Sequence, residues 1–156
     1  MHRSFLFKSL SFLPLTMLLV TGSLYAATIE VIDPYARAVP PGHPNSAAFM
    51  VLKNTGAEDR ALVDAKSNVS KVVELHTHRK EGGMMRMRRV GKIEIKAASD
   101  TVLKPGGLHV MFIGLKQPLN AGDVIKLELI FDDGSKTKLT IPVKRVAGMM
   151  QKRPKH

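Results

Sequence analysis

The sequence predicts one all-β domain, a sandwich or barrel, and three observations carry that expectation. Short runs rich in β-branched residues recur between residues 28 and 143, with turn residues between them. No stretch after Ala27 repeats its apolar residues at helical spacing. Residues Val124–Phe131 alternate, with Ile125, Leu127, Leu129 and Phe131 on one face and Lys126 and Glu128 turned away. The 156 residues suffice for one ordinary domain, and 44% apolar and 24% charged residues are close to globular averages.

Residues 1–26 read as a secretory signal peptide. His2, Arg3 and Lys8 make a positive start without an acidic residue, an apolar run spans Leu10–Val20, and Thr21–Ala26 supply a small, polar exit. The run is too short and interrupted for a spanning helix, so cleavage after Ala26 is expected, with an uncleaved anchor as the alternative. No Cys follows it, which argues against a lipoprotein anchor. Residues 27–146 form the expected folded domain, and 147–156 a basic tail with Met149, Met150 and His156 but no strand pattern, expected to be flexible. The protein is therefore expected in the periplasm.

Within the domain the strands follow in order. Thr28–Ile32 is closed by Asp33-Pro34, and Ala36–Val39 ends at Pro40-Pro41-Gly42. Ala47–Lys53 stops at Asn54-Thr55-Gly56, and Arg60–Ala65 and Lys71–His78 are divided by Ser67-Asn68. Glu81-Gly82-Gly83 is a hairpin turn into Met84–Val90. Lys92–Ile95, Thr101–Leu103, Leu108–Leu115, Val124–Phe131 and Thr137–Val143 complete the set, separated by turns such as Lys104-Pro105-Gly106-Gly107 and Asp132-Asp133-Gly134.

Composition excludes several chemistries. With no Cys there is no disulfide framework, thiolate zinc site, thioredoxin-type pair, cysteine nucleophile or type 1 blue-copper centre. No Ser/His/Asp arrangement is apparent, and Asp132-Asp133 reads as part of a turn, so the chain is not expected to be an enzyme. The net charge is +11. Arg79, Lys80, Arg86, Arg88, Arg89 and Lys92 cluster around one hairpin, either as a solvated face or as a docking surface for an acidic partner or an anionic membrane. Nucleic acid is not expected, given export, 5% aromatic residues and no Trp.

Histidine and methionine are unevenly placed. Outside the leader, most fall in Glu74–His78, Met84–Arg88 and Leu108–Ile113. In a strand, positions i and i+2 share a face, so His109 pairs with Met111, His76 with His78, and Met85 with Met87. The hairpin turn is expected to bring His76 near Met87, and a third strand carrying His109 and Met111 would close a group of two imidazoles and two thioethers. Thioether is a soft, neutral donor that favours Cu(I), while Zn²⁺ prefers thiolate, imidazole or carboxylate. Met50 and Met85 read as packing residues, with a supporting thioether role as the alternative. His43 reads as a solvated loop residue, and Asn45-Ser46 as a turn or part of the site's rim.

The spacing of His76, Met87, His109 and Met111 is similar to the H-x10-M-x21-H-x-M signature of the periplasmic copper chaperones called PCuAC. Arg37–Gly42, Asn45–Met50, Val73–His76 and Lys104–Met111 also resemble that family, and the resemblance covers roughly residues 28–145. It implies a cupredoxin-like Greek-key β-sandwich holding one Cu(I), and delivery of copper to an acceptor, an oxidase subunit or a Sco-type protein, in cytochrome c oxidase assembly. Periplasmic copper sequestration and a structural or adhesion module are the alternatives. Many relatives carry Met where this chain has His78, so His78 is a candidate for a secondary Cu(II) site; the tail offers too few ligands for a strong one. A monomer is the expected state.

Overall fold

The computed structural model describes residues 28–146. The expected leader and tail, residues 1–26 and 147–156, lie outside the described residues. Among those described there is no helix, and ten strands account for the fold. They are β1 (Ile29–Arg37), β2 (Asn45–Asn54), β3 (Arg60–Lys66), β4 (Ser70–Glu81), β5 (Met84–Arg89), β6 (Ile93–Ile95), β7 (Asp100–Leu103), β8 (His109–Leu115), β9 (Val124–Phe131) and β10 (Lys136–Lys144).

The strands pair in the order β5-β4-β8-β2-β1-β10-β9-β3-β6, with β7 alongside the second half of β2. All pairings are antiparallel except β1 with β10, which joins the two layers of a cupredoxin-like sandwich. Leu52, Leu75, Val110 and Phe112 from one layer and Leu62, Ile125, Leu127, Leu129 and Ile141 from the other belong to one buried cluster. The alternation expected in β9 holds: Ile125, Leu127, Leu129 and Phe131 are all buried. Burial of such a two-sided apolar face is the main source of the domain's stability.

Two local readings change and a third holds. Asp33-Pro34 does not end the first strand. Asp33 takes a positive φ of 48°, the β1–β2 register shifts between Ile32 and Tyr35, and β1 continues to Arg37. This bulge merges two expected runs into one strand. Asn45 and Ser46 open β2 and are not a turn. The Ser46 hydroxyl donates to the Arg37 carbonyl at 2.6 Å, and the Asn45 side-chain oxygen accepts from the Gly114 N–H at 3.2 Å, stitching β2 to both neighbours. Asp132 and Asp133 are structural, accepting from the N–H groups of Ala61 and Ser135.

The turn that matters for the site is Gly82-Gly83. Both residues have positive φ, 57° and 82°, the pattern of a two-residue hairpin loop that matches strand twist and that glycine adopts without steric cost. It sets Glu81 directly across from Met84, and that pairing dictates the rest of the β4–β5 register.

Candidate metal centre

Strands β5, β4 and β8 lie side by side at one end of the pairing order. Across β4 and β8, His76 sits opposite His109 and Glu74 opposite Met111. Across β4 and β5, His78 sits opposite Met87 and His76 opposite Arg89. Since side chains alternate along each strand, His76, Met87, His109 and Met111 all occupy one face. The intervening residues Leu75, Val110 and Phe112 point into the core. Phe49 borders the face beside His109, with ring centroids 6.2 Å apart, and Tyr35 lies beyond it at 5.4 Å from Phe49.

The expected closeness of His76 and Met87 is corrected by the hairpin register. The two-residue loop places Met87 directly opposite His78 and moves it one diagonal step from His76. Because the displacement is two residues, Met87 keeps its face. The same register divides the basic cluster: Arg79 pairs with Arg86 on the side away from the ligands, and Arg89 is on the ligand face.

The imidazoles are held by specific hydrogen bonds. The His109 Nδ1–H donates to the Gly107 carbonyl at 2.9 Å, so Nε2 carries the free lone pair. The His76 Nε2–H donates to Glu74 Oε2 at 2.7 Å, which leaves Nδ1 free. Both free nitrogens, His109 Nε2 and His76 Nδ1, are buried without a hydrogen-bond partner. Buried polar atoms are normally paired, and an unpaired one is costly. Two such atoms on directly paired residues, with rings 5.8 Å apart, fit a cationic ligand that accepts lone pairs. Burial lowers the pKa of His109; the Gly107 bond opposes that shift, and the charges of His78, His76 and Arg37 reinforce it. The downward shift favours the neutral ring, the form that metal coordination requires.

Glu74 extends this arrangement. Its other oxygen lies 3.6 Å from Arg89, so one carboxylate links an imidazole and a rim guanidinium. A carboxylate behind a histidine fixes the tautomer and raises the basicity of the free nitrogen. The sequence reading missed Glu74 and the Gly107 carbonyl. Glu74 was detectable, since it stands two residues before His76 in a strand; a backbone carbonyl carries no side-chain signal.

Exposure rises along the face. His109 is 2% exposed, the His76 side chain 13%, Met87 41% and Met85 59%, while Met111 is half-buried. Met50, on the opposite face of β2, is a core residue, as its packing reading expected. Met85 packs in no core, against that reading. His43 is an exposed loop residue. Among the described residues no three His, Asp or Glu side chains are gathered to hold a metal; the donors on this face are the two buried, unpartnered imidazole nitrogens, the His78 imidazole and neighbouring thioethers.

The family model described as "Putative lipoprotein LpqE-like" matches residues 29–143. The "Putative lipoprotein Lxx21020" of Leifsonia xyli subsp. xyli is 36% identical over 129 residues, spanning 82% of this chain and 76% of its own length. The solution structure of CuI-DR1885 from Deinococcus radiodurans is 32% identical, with a TM-score of 0.63 over 78% of this chain and 83% of that one. The copper-bound PCuAC domain from PmoF2 shares the fold at 21% identity, with a TM-score of 0.66 over 78% of this chain and 97% of that one.

Proposed function

This chain belongs to the LpqE-like family of PCuAC-type β-sandwich proteins, and from that premise we propose that it is an exported copper chaperone that carries one Cu(I) on His76, Met87, His109 and Met111. The single observation that carries the reading is the pair of unpartnered, buried nitrogens on His76 and His109, on the face that also bears Met87 and Met111. The relatives support it: one solved structure with 32% identity is a CuI form.

Each donor has a distinct role. His109, buried and tied to Gly107, is the fixed inner ligand. His76 is oriented from behind by Glu74. Met111 and Met87 supply soft sulfur that favours Cu(I) over Zn²⁺. All four donors are neutral and none is a nucleophile or proton donor to a substrate, so the site is a carrier and not an enzyme centre. Cu(I) leaves by ligand exchange: an acceptor ligand enters from the exposed side as a weak thioether lets go. The acceptor is a copper centre of a terminal oxidase or a Sco-type protein in the periplasm, approached through the basic hairpin.

The test is titration of the protein with Cu(I) against a competing chelator, followed by X-ray absorption. One Cu(I) per chain with sulfur scatterers is expected. A first shell of nitrogen and oxygen alone would overturn the ligand set. Transfer to an oxidase copper domain separates delivery from sequestration.

A further inference from the structure

The hairpin carries more soft donors than the four-ligand site uses, and they stand in an unusual place. Met85 is 59% exposed and packs in no core, whereas Met50, a methionine with a packing role, is 2% exposed. Leaving a large apolar side chain in water forgoes its burial energy. Met85 shares the ligand face with Met87, two residues along β5, about 7 Å apart at the strand rise. Directly across the hairpin from Met87 is His78, and directly across from Met85 is Lys80. Residues so paired have Cβ atoms about 4.5–5.5 Å apart, well within reach of two flexible thioethers.

His78 completes the arrangement. Its ring is 5.3 Å from that of His109, closer than the 5.8 Å between His76 and His109. Both His78 and His109 face the Gly107 carbonyl, but unequally: His109 Nδ1 holds it at 2.9 Å, and His78 Nδ1 stands at 3.5 Å, at the limit of a hydrogen bond. The His78 imidazole is therefore loosely held beside a tightly held one. It lies between the buried histidine and the exposed thioethers.

We infer that His78, Met85 and Met87 form a second, outer Cu(I) station through which the ion enters and leaves the inner site. This rests on the reading of the inner site as a Cu(I) carrier. Met87 is common to both stations. Copper passes inward as His78 and Met85 release it while His76, His109 and Met111 take it up, with Met87 bound throughout. No electron or proton moves; only coordinate bonds are exchanged. The exposure gradient, from 59% at Met85 to 2% at His109, orders the steps. The outer station, with its most exposed donors, is the weaker of the two.

The experiment uses the full chain with ¹³C-labelled methionine methyls, titrated anaerobically with Cu(I) and, as a redox-inert equivalent, Ag(I). The first equivalent should shift the Met87 and Met111 methyls. A second, weaker equivalent, left with His78 and Met85 while Met87 serves the inner ion, should shift Met85. In Met85→Leu and in His78→Leu the first equivalent should bind as before and the second should be lost. Loading from a Cu(I)–chelator complex should slow by about tenfold, equivalent to about 1.4 kcal/mol on the barrier. Met85 is exposed, so its leucine variant tests the idea without disturbing the core. A Met85 methyl that never moves, or variants that keep both the second equivalent and the loading rate, would overturn the outer station and leave the inner one standing. A first equivalent that leaves Met87 and Met111 unmoved, or no binding at all, would instead overturn the inner-site reading and the outer station with it.

Discussion

Replacing Glu74 with Gln tests how the inner site is organised. The Glu74 carboxylate accepts from His76 Nε2–H at 2.7 Å and so presents Nδ1 as the free nitrogen. A hydrogen bond to a charged group contributes about 1.5–3 kcal/mol when well desolvated. The Glu74 side chain is 21% exposed, so the lower part of that range applies. Glutamine keeps an acceptor oxygen but loses the charge. Glu74→Gln should therefore weaken Cu(I) binding by about tenfold, roughly 1.4 kcal/mol. Glu74→Ala, which also frees the tautomer, should approach the hundredfold limit of about 2.7 kcal/mol seen for groups that support metal ligands. The Arg89 contact adds little, because that side chain is 72% exposed. Competition with a chelator of known affinity gives the two constants. Nitrogen-15 shifts of the imidazoles give the coordinating atom, which should be Nδ1 of His76 and Nε2 of His109. Unchanged affinity in both folded variants, or coordination through His76 Nε2, would refute the claim that Glu74 orients the ring.

Three further outcomes are expected. Phe112 is fully buried between the layers, so Phe112→Ala should cost about 3–5 kcal/mol in denaturant unfolding; a loss under about 1 kcal/mol would mean that the core closes over the gap. The pKa of His109 is lowered in the fold, chiefly by burial, from an ordinary 6.5. The unfolded chain thus takes up the proton first, and the stability linked to this group is full above pH 6.5 and lost as pH falls through the folded value. The difference in unfolding free energy between the apo-protein and His109→Gln should shrink on acidification from about pH 7.5 to about pH 5; a difference independent of pH would contradict it. Lys80, opposite Met85 on the ligand face, is an exposed cation at the approach to the site. Lys80→Glu should leave Cu(I) affinity intact and slow transfer to an acidic acceptor mostly at low salt, a signature of steering that stopped-flow kinetics would detect.

The legible part of the site is local. His109 with Met111, His76 with His78 and Met85 with Met87 could each be given a shared face because strand alternation has period two and needs only a few residues to read. The hairpin itself was visible in Glu81-Gly82-Gly83, but its register was not, since two-residue and three-residue loops from the same glycines differ in which partner faces Met87. The same limit hid the long β1, whose bulge at Asp33 looks in one dimension like a stop.

The sequence by itself determined the class of fold, the soft and imidazole chemistry of the donors and which of them share a face within each strand. These follow from residue type and short-range periodicity. Tertiary structure decided which donors meet. The pairing of His76 with His109 joins residues 33 positions apart, and only the β4–β8 register brings them together. It decided, too, which nitrogen of each ring is free, through Glu74 and the Gly107 carbonyl. It also placed His78 beside His109 and left Met85 exposed to water. Hydrogen-bond partners and burial are set by strands that lie far apart in the chain, so no local pattern encodes them.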